Sequence, residues 1–275
     1  MNALCRDNII DLFVWIDDSL KSLSLERPIV GRPMSLSPSE ILTILIWDGL
    51  TEPHKTLKDT YRFIRREYGD CFPHMPSYKS FVLSLHAYLE IMTAFLMGIL
   101  DYSAQLRFVD ATMLPVCKLA RMDSHKVAKA IAKIGANHQG WHYGFKLHAS
   151  ISKDKRLTGI CFTPANEYDA QKMPEILKGA TKIAVGDSHY GARVMGERLN
   201  REQNIIVVAP PHYKQKQKIA TDLQIKLLKM RTKIEAVFDY LKEHMHLVTS
   251  FPRSIKGYFV HYVRVLLGYQ VRMVS

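Results

Sequence analysis

Tyr143-Gly144-Phe145-Lys146-Leu147-His148-Ala149-Ser150-Ile151 is apolar at 143, 145, 147, 149 and 151 and mostly polar or small between. That period of two predicts a half-buried strand. Lys155-Arg156 makes a turn into Leu157 to Phe162, an antiparallel partner. Upstream, Leu106-Arg107-Phe108-Val109-Asp110 reads as a short strand. Downstream come a helix (Ala170 to Lys178), a strand (Thr181 to Gly186), a helix (Ala192 to Arg201) and a buried strand (Ile205 to Val208). One long helix is expected from about Lys218 to His246, and a final apolar one from Tyr258 to Arg272. The order βββαβαβα defines a mixed α/β sheet flanked by helices.

Residues 1 to 103 read as a separate all-helical domain, leaving 104–275 for the sheet. Leu12, Trp15, Ile16, Ser19, Leu20 and Leu23 mark one amphipathic face. Ser37, Pro38 and Glu40 form a capping box ahead of Ile41-Leu42 and Ile44-Leu45-Ile46. Lys55 to Tyr68 is a basic helix, so residues 37–68 could be a helix-turn-helix. Helix-rich, Leu-, Met- and Phe-laden sequence continues from Ser77 to Leu100.

The composition excludes a disordered chain: 47% is apolar and 23% charged. Lys and Arg number 38 against 26 acids, a formal charge of +12 with a pI near 9.5. Such a balance favours a polyanion, and nucleic acid is the usual one. The charge is concentrated. Lys118, Arg121, Lys126, Lys129, Lys133, Lys146, Lys153, Lys155 and Arg156 face only Asp123 and Asp154 in their stretch. A second basic run spans His212 to Lys233. The four cysteines (Cys5, Cys71, Cys117, Cys161) form no C-x-x-C pair and are expected as free thiols. No run approaches the ~18 apolar residues of a membrane span, and Arg6 and Asp7 precede any apolar stretch. No membrane association and a cytoplasmic location are therefore expected.

Three acids stand out. Asp110 and Asp187 each close a predicted strand, where sites form in open α/β sheets, although an Asp there also serves as a turn former or helix cap. The long helix has a predicted core face of Leu223, Leu227, Met230, Ile234, Phe238, Leu241 and Met245. Arg231, Glu235 and Lys242 each follow a core position. At about 100° per residue they share one edge of the buried stripe. Alone, they also fit a solvated i,i+4 surface pair. Two Asp and a Glu supply hard oxygen ligands suited to Mg²⁺ or Mn²⁺, and two such ions roughly 3.5–4 Å apart suit phosphodiester cleavage.

Arg231-x3-Glu235-x6-Lys242 resembles the Tyr-x2-Arg-x3-Glu-x6-Lys signature of bacterial insertion-sequence DDE transposases. Phe108-Val109-Asp110-Ala111-Thr112 resembles the block of their first aspartate. Val185-Gly186-Asp187-Ser188-His189-Tyr190 resembles the second, usually Gly-Asp-x-Gly-Tyr. Gly144-Phe145-Lys146-Leu147-His148, Thr163-Pro164-Ala165-Asn166-x-x-Asp169 and Ile234-Glu235-Ala236-Val237-Phe238-Asp239 also match. So do Leu36-Ser37-Pro38-Ser39-Glu40-Ile41 and Phe72-Pro73-x-x-Pro76-Ser77-Tyr78. The resemblance covers nearly the whole chain and implies a ribonuclease H-like catalytic domain. It further implies that Asp110, Asp187 and Glu235 hold the catalytic metals, and that Arg231 and Lys242 grip transposon-end phosphates. Element ends and target DNA are the implied partners, with a homodimer on the DNA. Lys126, Lys129 and Lys133 are further candidate phosphate contacts.

Two positions depart from the pattern. Leu228 stands where the signature has Tyr, and His189 where the second block has Gly. Both are expected to leave the carboxylates untouched. Two other readings fit the same residues: a ribonuclease H-like nuclease that does not join ends, and a non-catalytic DNA-binding protein.

Overall fold

The computed structural model describes residues 8–25, 34–137, 140–191, 193–210 and 221–274. The start of the expected long helix at Lys218, the basic residues before 221 and Cys5 lie outside these. Two compact units result, one of residues 1–99 with 241–275 and one of residues 100–240. The helical unit thus takes in residues 241–275 as well as the N-terminal helices. The division lies within a helix, between Tyr240 and Leu241.

In the helical unit the elements are α1 (Ile9–Ser22), α2 (Pro38–Thr51), α3 (Leu57–Glu67), α4 (Tyr78–Ala87) and α5 (Leu89–Gly98). The C-terminal α10 (Ile255–Val274) joins them. The capping box forms as read: Ser37 Oγ accepts from Glu40 N at 3.2 Å, and Glu40 Oε2 accepts from Ser37 N at 2.7 Å. Both α2 and α10 are buried nearly all round and lie against each other. A Cβ on Gly49 would come within 2.7 Å of Gly268 Cα, so only glycine permits this backbone contact. Inside sits Arg264. It donates to Thr60 Oγ1 (2.9 Å), to the His54 carbonyl (2.7 Å) and to Asp48 (3.4 Å), which compensates a buried charge. Among the described residues no single helix is long and apolar enough to cross a membrane. Only α4 and α5 together pass on composition, and they are bent by 56°.

The second unit is a mixed sheet of β1 (Leu106–Cys117), β2 (Lys133–Asn137), β3 (Gly140–Ser152), β4 (Leu157–Pro164), β5 (Ile183–Val185) and β6 (Ile206–Val208). The order is β2-β3-β1-β5-β6, with β4 also on β3. The hairpin pairs are antiparallel, while β1–β5 and β5–β6 are parallel. The fold is thus the expected α/β class. It adds β2, which lacked a strong alternating pattern, and extends β1 to Cys117. The helix expected over Ala170 to Lys178 is a 3₁₀ turn (Asp169–Lys172) followed by α6 (Met173–Ile176), and α7 is Arg193–Gln203.

Two expectations are corrected. The half-buried strand is buried on both faces from Tyr143 to Ser152. Its polar side chains survive there because partners are provided. His148 Nε2 meets Thr163 Oγ1 at 2.8 Å, and Ser150 Oγ donates to the Ile176 carbonyl at 2.7 Å. Nor is there one long helix: α8 (Asp222–Met230) and α9 (Thr232–Glu243) are separated at Arg231. Shorter-range bonds, Arg231 N to Leu228 O and Ile234 N to Arg231 O, mark the break. The expected apolar stripe nonetheless continues across it: Leu227, Ile234, Phe238, Leu241 and Met245 are buried, and Leu223 is 64% exposed.

Candidate active site

Register places the two aspartates side by side. Phe108 on β1 pairs with Val185 on β5, and Asp110 and Asp187 each follow two residues later. Parallel neighbours in register share a face, so both carboxylates leave the sheet at the same level. Asp110 is still within β1, opposite Ala149 of β3. Asp187 has left β5 and opens a 3₁₀ turn over Ser188–Tyr190, its Oδ1 accepting from His189 N at 2.8 Å.

The break at Arg231 supplies the remaining groups. Its guanidinium lies 3.8 Å from Asp110 Oδ2 and 2.5 Å from Glu235 Oε1. The helix that carries them is tied to the sheet unit by Lys233 Nζ, which donates to the Lys153 carbonyl at 2.8 Å. Glu235 is about half-exposed and Asp239, one turn on, is exposed. The edge of α9 bearing Glu235 is therefore the one that faces Asp110.

Burial is the main force on Asp110, pushing its carboxyl up to about 7. The Ala111 amide, donating to Oδ1 at 2.8 Å, and the Arg231 charge pull it down, while the Asp187 and Glu235 carboxylates push it up. Negative charge has thus been gathered beyond what one arginine offsets. Such an imbalance, on three hard oxygen donors, suits a divalent cation. Among the described residues the side chains do not stand converged as a ready metal-binding group. Arg231, between Asp110 and Glu235, provides the local positive charge.

One departure bears directly on these carboxylates, contrary to expectation. His189 Nδ1 sits 3.1 Å from Asp187 Oδ2, so both oxygens of Asp187 are engaged by His189. Glycine at that position would offer only the backbone bond. Leu228 is half-buried on α8 and reaches Arg231 only through its carbonyl.

Other candidates lie apart. Lys126, Lys129 and Lys133 are exposed. Lys133 pairs with Gly144, five residues along β3 from Ala149, the partner of Asp110. That is roughly 17 Å at 3.4 Å per residue. Lys242 is half-buried in the last turn of α9, past the point where the chain enters the helical unit.

Some site features were not read from the residues alone. Lys146 Nζ donates to Asp169 Oδ1 at 2.7 Å and to the Glu167 carbonyl at 2.7 Å, and His148 Nδ1 is 3.8 Å from the same Asp169 oxygen. By alternation they lie on the face of β3 opposite Asp110's side. Burial, with Lys146 and Lys172 nearby, holds the His148 imidazole down to about 3, so it is neutral. Tyr190 is fully buried, and among the described residues its hydroxyl has no hydrogen-bond partner. Burial, then Asp169, Asp110 and Asp187, raise its pKa well above the usual phenol range. A Cβ on Gly186 would stand 2.8 Å from the Tyr190 ring, so that glycine makes room for it. The sequence signals were the polar positions inside an apolar strand and the matched blocks that hold Lys146, His148, Asp169 and Tyr190.

The elements together form a mixed α/β sheet whose β1 and the turn after β5 carry Asp110 and Asp187, faced by Arg231 at the helix break and Glu235 on α9. Residues 101–255 match the family described as transposase DDE domain. That span exceeds half the chain and contains Asp110, Asp187, Arg231, Glu235 and Lys242, and the chain belongs to this transposase family. No curated protein sequence matches it.

Proposed function

We propose that this transposase cuts the ends of an insertion sequence and joins them to target DNA. The observation that supports the reading best is the shared level of Asp110 and Asp187 beside the Arg231–Glu235 pair. Asp110, Asp187 and Glu235 would hold Mg²⁺ or Mn²⁺, as one or two ions, which in such sites activate the attacking oxygen and stabilise the leaving one. The protein's own groups do the rest. Arg231 offsets the charge between Asp110 and Glu235 and is placed to take a phosphate. Burial around Asp110 keeps the site poor in water. Lys242 and the exposed Lys126, Lys129 and Lys133 would meet the DNA backbone further out, and the helical unit would bind the element's end. A homodimer on DNA, working in the cytoplasm at the nucleoid, completes the reading.

The test uses end DNA with a labelled 3′ strand, unlabelled target, and Mg²⁺, Mn²⁺ or EDTA. Label joined to target with either metal and lost in EDTA is expected. Cutting without joining would support a nuclease instead, and DNA binding with no metal-dependent cutting would support a non-catalytic binder.

A further inference from the structure

The helical unit contains a cleft of about 490 Å³, within the roughly 300–1,000 Å³ range of pockets that enclose small-molecule-sized groups. Three helices begin at it. Thr56 caps α3, whose first residue is Leu57; Tyr78 and Lys79 open α4; Ser254 precedes α10 and accepts from Gly257 N at 3.0 Å. Each start carries a partial positive charge from the helix dipole. Lys55, Lys79 and Arg253 add full charges, and no Asp or Glu lines the cleft. Asp59, in the first turn of α3, is engaged by the Thr56 hydroxyl at 2.6 Å and faces Arg62. The field inside the cleft is therefore positive.

Its walls are nonetheless largely apolar. Phe251 is 49% exposed at the rim, with Lys55 Nζ 5.6 Å from its ring centre, and Leu83 is 57% exposed. At the back lies His261, whose Nε2 donates to the His246 carbonyl at 2.8 Å and whose Nδ1 faces Arg264. An occupant must therefore present a flat or apolar body and a negative charge together. Duplex DNA offers phosphates but keeps its bases stacked away. An unpaired nucleotide offers both at once, with its base against an aromatic ring and its phosphate among amines and helix starts.

We infer that this cleft binds one unpaired nucleotide of a DNA strand, its base lying on Phe251 and its phosphate among Lys55, Lys79 and Arg253. The inference rests on the reading that this transposase handles DNA. It adds a site in the helical unit for DNA whose strands have separated.

Fluorescence anisotropy of the full-length protein with a 20-nucleotide oligo(dT) and with a 20-base-pair duplex tests it. Phe251→Ala should weaken oligo(dT) binding about 5–50-fold, while duplex affinity stays within about twofold; Phe251→Tyr should restore it. Lys79→Ala should flatten the oligo(dT) salt slope by roughly 0.7. Unchanged melting curves establish that each variant folds. If the wild type binds both DNAs and neither alanine variant alters oligo(dT) binding, the cleft assignment is overturned with the DNA reading intact. If the wild type binds neither DNA, both fail.

Discussion

Asp110→Asn is expected to stabilise the protein at alkaline pH and to do progressively less as pH falls. The carboxyl is raised from 3.8 to about 7, chiefly because burial penalises its charged form. The folded state then holds its proton more tightly than the unfolded chain does. The resulting stability is fully present below about pH 4 and is lost as pH rises through about 7. At about 1.36 kcal/mol per pH unit, the interval from 3.8 to 7 amounts to ~4 kcal/mol as a ceiling. The side chain is only 19% exposed, so solvent screens little of this. Asparagine keeps the shape and cannot ionise. In EDTA it should gain about 2–4 kcal/mol over wild type at pH 8.5, shrinking towards zero at pH 4. For a unit of this size that is roughly 5–12 °C in melting temperature. Calorimetric scans at pH 4, 5.5, 7 and 8.5 read it directly. An equal gain at all four pH values, or none at 8.5, would refute the argument that burial of the charged form dominates Asp110.

Glu235→Gln should abolish strand cleavage while leaving DNA binding and melting temperature near wild type, and Asp239→Asn should keep most cleavage. A gel-based cutting assay in Mn²⁺ showing the reverse would mean that the wrong edge of α9 had been assigned to the site. Tyr190→Phe removes a buried hydroxyl that has no partner among the described residues, and should raise the melting temperature of the metal-free protein by the equivalent of about 1 kcal/mol or more. Destabilisation by a similar amount in chelator would show that the hydroxyl is bonded in the folded protein.

Local chemistry was legible wherever neighbours along the chain decide the outcome. Ser37, Pro38 and Glu40 start α2 as read, because a capping box is completed within four residues. The alternation from Tyr143 to Ile151 makes a strand, and Asp187 follows the end of β5, whereas Asp110, read as closing a short strand, lies inside β1, which runs on to Cys117. The i,i+4 spacing of Arg231 and Glu235 yields their ion pair even though the helix breaks at Arg231 itself. Contacts between distant segments decided everything else. Polar residues on β3 read as a solvated face, and only Thr163 on β4, with Asp169 and Ile176 from beyond the hairpin, turns that face into a buried, hydrogen-bonded one. Apolar periodicity carried one helix from Lys218 to His246 because it records which positions are apolar and not where the backbone departs from the axis. Residues 241–275 join the helical unit because α10, buried nearly all round, is covered by α2 and α5. A helix buried on every side carries no periodic mark of which neighbour will cover it. Tyr190 and His189 could be named from a motif, but their placement beside the carboxylates depends on the turn after β5 and on the room left by Gly186, which only the folded chain defines.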